Sequence, residues 1–165
     1  MIKLAIDLGP SVTKIFKMGS GIVLAEASCV AVTTGTDTVK AIGEEAKRLI
    51  GKTAEFTTIV FPVFEADIVN GNMAAVMLSY FLKKIGIGRA QARRTEAVFG
   101  VPCGAQDALL DKYYRLAEAC GIGSVSFVEV PFLAAFGQNL TLSESTPAFV
   151  VDIGGGSTNI AAISM

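Results

Sequence analysis

The sequence predicts an α/β fold: a mixed or parallel sheet flanked by helices, carrying a small inserted subdomain. Three observations predict it. The first two dozen or so residues are short β-branched runs separated by tight glycine turns, the pattern of an antiparallel meander. The second half alternates strand-like runs with amphipathic helical stretches, the order of a sheet with parallel members. Between them, residues 31–70 change character, with short β-like runs around one short helix, and read as an insertion between segments 1–30 and 71–165.

Residues 2–7 are an apolar run stopped by Gly9-Pro10, a buried strand ending at a turn. Val12 to Phe16 is the next strand, and Gly19-Ser20-Gly21 turns the chain into Ile22-Val23-Leu24-Ala25. Cys29 to Thr33 is β-like, Gly35-Thr36-Asp37 a turn, and Glu44 to Ile50 a short helix stopped by Gly51. That helix opens acidic and closes basic, as its dipole favours. Thr57 to Val60 is a strand before Pro62. Asn72 or Gly71 caps a helix from Met73 to Lys84, whose Ala74, Met77, Leu78, Phe81 and Leu82 recur at helical spacing. Arg89, Arg93 and Arg94 fall in a solvated loop. Glu96 to Pro102 is a strand, Gln106 to Cys120 a helix, and Ser124 to Val128 a strand. Pro131 opens a helix running to about Gly137. Ala148 to Asp152 is a strand that turns through glycines into Asn159 to Ile163.

Composition narrows the chemistry. Just over half of the 165 residues, 52%, are apolar, enough for a sizeable core or a surface that expects a partner. The net charge of -1, with no concentrated basic face, argues against nucleic-acid binding. The absence of histidine removes a Cys-His nucleophile pair and most transition-metal chemistry. Three cysteines without CxxC spacing read as reduced thiols of a cytosolic protein. Cys29 and Cys120 are expected to be buried. Cys103 lies at a strand-to-helix turn, where a helix N-terminus would lower its pKa, although a structural role is expected there. No secretion signal and no apolar run of about 18 residues is present.

Two turns carry the functional signal. Each follows a strand-like run that ends in aspartate: Asp7-Leu8-Gly9-Pro10-Ser11, and Asp152-Ile153-Gly154-Gly155-Gly156-Ser157-Thr158. An aspartate at a buried strand end suits a magnesium ion held through water. Backbone amides of Gly9, Gly154, Gly155 and Gly156, and hydroxyls of Ser11, Thr13, Ser157 and Thr158, are candidate phosphate donors, and Lys14 adds a charge-assisted contact. The bland alternative is that each aspartate only caps its own turn. Neither turn fits GxxxxGK[ST] or GxGxxG, so a clamp made from two hairpin turns is the better physical account.

At these residues the chain resembles the actin-like ATPase superfamily, and within it the bacterial rod-shape-determining branch. Asp7-Leu8-Gly9 and Asp152 to Thr158 resemble its two phosphate loops. Ala41 to Lys47 is similar to a segment of the small subdomain IB, Phe99 to Gly104 to the strand and turn before a long helix, and Glu129 to Gly137 to the connecting helix. The resemblance implies a ribonuclease H-like fold built on a mixed five-stranded sheet flanked by helices, with 1–30 and 71–165 as subdomain IA and 31–70 as subdomain IB. It implies a full protein about twice this length whose second half holds most of the adenosine. A fragment is the leading explanation, a natural half-length gene the alternative. ATP and Mg2+ are the implied ligands, with Asp7 and Asp152 toward the metal. Implied too are self-association into filaments, a cytoplasmic location extending to the inner face of the membrane, and peripheral membrane or morphogenesis-protein contacts.

The sequence departs from that family at two places. Pro10 removes one amide donor from the first loop. Val130 stands where the family carries its water-positioning acid, and valine cannot orient or deprotonate water. Glu129 and Asp152 are then the candidate catalytic acids, and the expectation is nucleotide binding with slow or absent hydrolysis. Whether the chain is an enzyme is left open. The alternatives are a non-polymerising assembly or chaperone-like ATPase of the same fold, a degenerate scaffold module, and a sugar-kinase half.

Overall fold

The computed structural model describes residues 1–52, 56–138 and 147–164. Residues 53–55, inside the expected insertion, and 139–146 and 165, inside the expected 71–165 segment, lie outside the described residues.

The N-terminal runs form the expected meander of β1 (Ile2–Leu8), β2 (Val12–Lys17) and β3 (Gly21–Ala27). Two later strands, β9 (Thr95–Val101) and β10 (Ser124–Glu129), extend it to a five-stranded mixed sheet in the order β10-β9-β1-β2-β3. β9 runs parallel to β1, and β10 parallel to β9, while β2 and β3 are antiparallel. Strand alternation puts Leu4, Ile6, Ile15, Leu24, Ala97 and Phe99 on one face. Helices α2 (Gly71–Lys84) and α4 (Asp107–Ala119) supply the other side of that core, through Met77, Leu78 and Phe81, and through Tyr113, Leu116 and Ala117. The Phe99 and Tyr113 rings meet at 5.4 Å. Helix α2 starts two residues earlier than its apolar spacing indicates, because Asn70, not Asn72 or Gly71, is its cap: Oδ1 accepts from the Met73 amide at 3.0 Å.

The insertion forms its own three-stranded antiparallel sheet of β4 (Val30–Thr33), β5 (Val39–Ile42) and β6 (Thr57–Val60), in the order β5-β4-β6. The one-turn helix α1 (Glu44–Lys47) packs Ala46 against Ala27, Cys29 and Ala31. Glu26 of β3 ties this unit to the main one. Its carboxylate accepts from the Glu44 amide at 2.8 Å and pairs with Lys84 at the end of α2. Burial by itself would raise the Glu26 pKa, but the Glu44 amide and Lys84 outweigh it and hold the group below the usual glutamate range.

A tight hairpin follows, β7 (Val63–Phe64) and β8 (Asp67–Ile68). Its two turn residues, Glu65 and Ala66, both adopt left-handed φ, 47° and 62°. The arginine-containing stretch is not all loop: α3 (Arg89–Ala92) is a single helical turn. Helix α5 (Val130–Gly137) leads toward the last hairpin, β11 (Ala148–Ile153) and β12 (Thr158–Ile163). That hairpin forms a separate two-stranded sheet. It packs one face on α5 through Val150, Ile163 and Ala135, and leaves Phe149 and Ile153 on the other face 71% and 77% exposed.

Candidate functional site

Topology brings three strand ends together. β1, β9 and β10 are parallel neighbours, so Leu8, Val101 and Glu129 finish at the same edge of the sheet. The turns that follow, Gly9-Pro10-Ser11 and Pro102-Cys103-Gly104, and the start of α5, share that edge, where open α/β sheets place ligands. The β11–β12 turn arrives at the same place from the other sheet.

The two glycine turns touch. A methyl group built on Gly155 would overlap the Ser11 hydroxyl and lie 2.7 Å from Ser11 Cβ. One on Gly156 would lie 2.8 Å from Pro10 Cγ. Real Cβ atoms do not tolerate such contacts, so the absence of side chains here is what lets the loops meet. The second turn is closed by the Gly154 amide donating to the Ser157 carbonyl at 2.9 Å.

Asp7 stands at the centre. It lies opposite Lys14 in the β1–β2 register, and Lys14 Nζ is 3.7 Å from its Oδ2. Burial raises the Asp7 pKa; Lys14 works against that, and Asp152, reaching in from β11, adds to it. Beneath them Tyr113 is buried, and burial together with Asp7 and Asp67 pushes its hydroxyl up to about 12. Two approaching carboxylates, with no cluster of three or more His, Cys, Asp or Glu among the described residues, do not make a closed metal cage. That donor set fits a magnesium ion that keeps its waters and leans on phosphates.

Several sequence expectations are changed by where the side chains point. Thr13 is withdrawn from the phosphate donors: its hydroxyl is fully buried and hydrogen-bonded to Ser28 at 2.8 Å, because β2 alternation turns it to the core face and Lys14 to the site face. Thr158 pairs with Ile153 on the exposed face of its hairpin, whereas Asp152 pairs with Asn159 on the face toward α5. Glu129 is engaged: its Oε1 accepts from the Gly104 amide at 2.9 Å. The Cys103 thiol, exposed, is raised by desolvation and by Glu129, not lowered by a helix end. Cys29 and Cys120 are buried as expected. Val130 lies in the first turn of α5, with its Cγ2 3.5 Å from the point where a Cβ on Gly100 would sit.

The β7–β8 hairpin was not legible as part of the site. The Glu65 amide nitrogen lies 3.7 Å from the point where a Cβ on Gly156 would sit, and the hairpin is pinned to α4 by Lys112, whose ammonium reaches both Asp67 oxygens at 2.7 Å. Its turn contains neither glycine nor asparagine, so nothing in the sequence announces it.

With the fold and site in view, the likeness to known proteins is specific. The chain is 34% identical to the cell shape-determining protein MreB of Escherichia coli (strain K12), over 98% of this chain and 48% of that protein. It is 32% identical to the cell shape-determining protein Mbl of Bacillus subtilis (strain 168), again over 98% and 48%. It thus spans about half the length of the curated relatives it matches. Among solved structures, MreB 5 of Spiroplasma citri bound to AMPPNP superposes with a TM-score of 0.90 at 24% identity, covering 99% of this chain and 49% of that one. The MamK double helical filament follows with a TM-score of 0.79 at 22% identity, covering 98% and 49%. These two show the actin-like fold, with its five-stranded sheet and small inserted subdomain. Since the family model described as MreB/Mbl protein matches residues 1–165, the chain belongs to the MreB/Mbl family.

Proposed function

We propose that this chain is the phosphate-binding half of an MreB-like bacterial actin homologue, a nucleotide-dependent filament protein of cell shape. The observation that carries the reading is the direct contact of the two glycine turns beside Asp7 and Asp152. Gly9, Ser11, Lys14, Gly154, Gly155, Gly156 and Ser157 would cradle the phosphates of ATP, and Asp7 and Asp152 would hold Mg2+ through its water shell. Segments 1–30 and 71–165 then act as subdomain IA and 31–70 as subdomain IB. The adenosine contacts belong to a second half.

Slow hydrolysis follows from two local facts. Val130 offers no group to orient water, and Glu129 beside it is spent on the Gly104 amide. Filament formation is supported by the relatives: the MamK match is a double helical filament, and the curated matches determine cell shape. Stacking of such subunits head to tail is a heterologous contact that does not close on itself. Among the described residues no helix is long and apolar enough to cross a membrane. A cytoplasmic place, against the inner face of the membrane, suits this reading. Pro10 and Val130 favour one second reading, a scaffold that keeps the fold without turnover.

Phosphate release and negative-stain microscopy on the full-length protein test this together. Wild type should release phosphate slowly and form filaments with ATP, and Val130→Glu should speed release about tenfold or more. Wild type turning over as fast as Val130→Glu would refute the hydrolysis reading. Nucleotide binding without filaments would favour the non-polymerising ATPase, and neither binding nor filaments the scaffold.

A further inference from the structure

We propose that a cleft on the edge of the five-stranded sheet opposite the phosphate turns, lined by Arg89, Arg93 and Arg115, docks an acidic segment of a partner protein. The segment it fits carries carboxylates on either side of one apolar residue. The cleft is separate from the phosphate cradle and does not depend on it.

Strand direction sets the place. β9 and β10 run in parallel toward the phosphate turns, so Thr95 and Ser124, where they begin, lie at the opposite edge. A cleft of about 730 Å³ opens there. Arg89 comes from α3 and Arg93 from the residue that ends it. Helix α4 forms the facing wall with Asp111, Tyr114, Arg115 and Glu118, over a floor that includes Ile122 and Val125. These walls are held firmly. The Gly123 amide is shared between the carbonyls of Ala92 and Thr95, at 3.1 and 3.2 Å, and a Cβ there would overlap the Arg93 carbonyl oxygen. The Arg89 stem lies over Gly121, its Cγ 3.8 Å from the point where a Cβ would sit. Phe127 meets the half-exposed Tyr114 ring edge-on at 4.9 Å.

The arginines are uncommitted. Every salt bridge among the described residues uses a lysine, and Arg89, Arg93 and Arg115 are all exposed. A guanidinium fork matches a carboxylate with two parallel hydrogen bonds. The same cleft also holds Asp111 and Glu118, which select against a ligand that is anionic throughout, such as a polyphosphate or an anionic membrane surface. A peptide satisfies both signs. Its carboxylates meet the arginines, its backbone amides donate to Asp111 and Glu118, and its apolar side chain covers Ile122 and Val125. A rigid tyrosine among arginines is the make-up of a binding hot spot.

The test is fluorescence anisotropy of a dye-labelled Glu-Glu-Leu-Glu-Glu peptide titrated with the full-length protein. Wild type should bind it at least about tenfold more tightly than the Gln-Gln-Leu-Gln-Gln counterpart, and the advantage should shrink as salt rises. Arg89→Gln and Arg115→Gln should each weaken binding about tenfold, the size of one charged hydrogen bond. Arg48→Gln, outside the cleft, should bind like wild type, and so should wild type saturated with ATP. Unchanged thermal unfolding of the variants excludes misfolding as the cause. Cleft variants that bind like wild type, equal binding of the two peptides, or displacement of the peptide by ATP would overturn the inference. So would two other losses in the same variants: loss of sedimentation with phosphatidylglycerol vesicles, which assigns the cleft to a membrane, and loss of filaments, which assigns it to a second copy of the chain.

Discussion

Replacing Gly155 with alanine should drive the two loops apart. The added Cβ would overlap the Ser11 hydroxyl and lie 2.7 Å from Ser11 Cβ. Rotating the hydroxyl away leaves the second contact in place, since Cβ is fixed to the backbone. Carbon atoms are comfortable at roughly 3.5 Å or more, so one loop must retreat by about 0.8 Å. Overpacking of this kind costs about 1–3 kcal/mol. Because the obstacle is one side chain, Ser11→Gly should relieve it, and the double variant should recover most of the lost stability. Chemical denaturation of the four proteins without nucleotide measures the coupling, which should be about 1 kcal/mol or more. Nucleotide titration of Gly155→Ala should show weaker binding as well, since a displacement near 1 Å spoils phosphate positioning by up to about a hundredfold. If the stability losses of Gly155→Ala and Ser11→Gly simply add, the loops do not touch and the cradle is wrongly built.

Three further outcomes are expected. Ala66→Gly should raise stability by about 0.5–1 kcal/mol in thermal or denaturant unfolding, because it relieves a left-handed φ of 62° in the β7–β8 turn while giving back some unfolded-state entropy. Glu26 has a depressed pKa when folded, so its stabilising contribution is present at neutral pH and lost as pH falls through the acid range. The stability gap between wild type and Glu26→Gln should therefore shrink between pH 7 and about pH 3.5. Asp7 has a raised pKa, so its charge is a penalty above the ordinary aspartate range that fades as pH falls. Asp7→Asn should accordingly melt higher than wild type at pH 7 while binding nucleotide less well.

Much of the fold could be read from residue pattern, and the misses have definite causes. The meander was visible because Ile2 to Asp7, Val12 to Phe16 and Ile22 to Ala25 are separated by glycine turns that admit little else. The strand and helix alternation after Met73 was visible because α2 and α4 each bury a clear stripe. Helix α2 starts before its apolar stripe because Gly71 and Asn72, poor helix formers, sit inside its first turn, where a cap upstream at Asn70 overrides their propensity. Thr13 faces the core and not the phosphates, and the sequence carries that signal: Thr13 and Ile15 lie two apart on one strand and must share a face. The strained Glu65–Ala66 turn had no such signal, since a turn of that kind is written in asparagine and glycine when sequence is free to choose. The sequence reads Asp7 and Asp152 as two parts of one clamp, and in the structure the Asp152 charge acts on Asp7; Asp7's ion pair with Lys14 becomes visible only through the β1–β2 register.

The central claim is that Asp7 and Asp152, far apart in sequence, serve one phosphate site. Titration of ATP with Mg2+ into full-length wild type, Asp7→Ala, Asp152→Ala and the double variant tests it most directly. Each single change should weaken binding about tenfold or more, and the double variant should be little worse than the poorer single one, as expected of two groups acting on one ion. Undiminished binding in either single variant, or losses that add in full, would contradict the account.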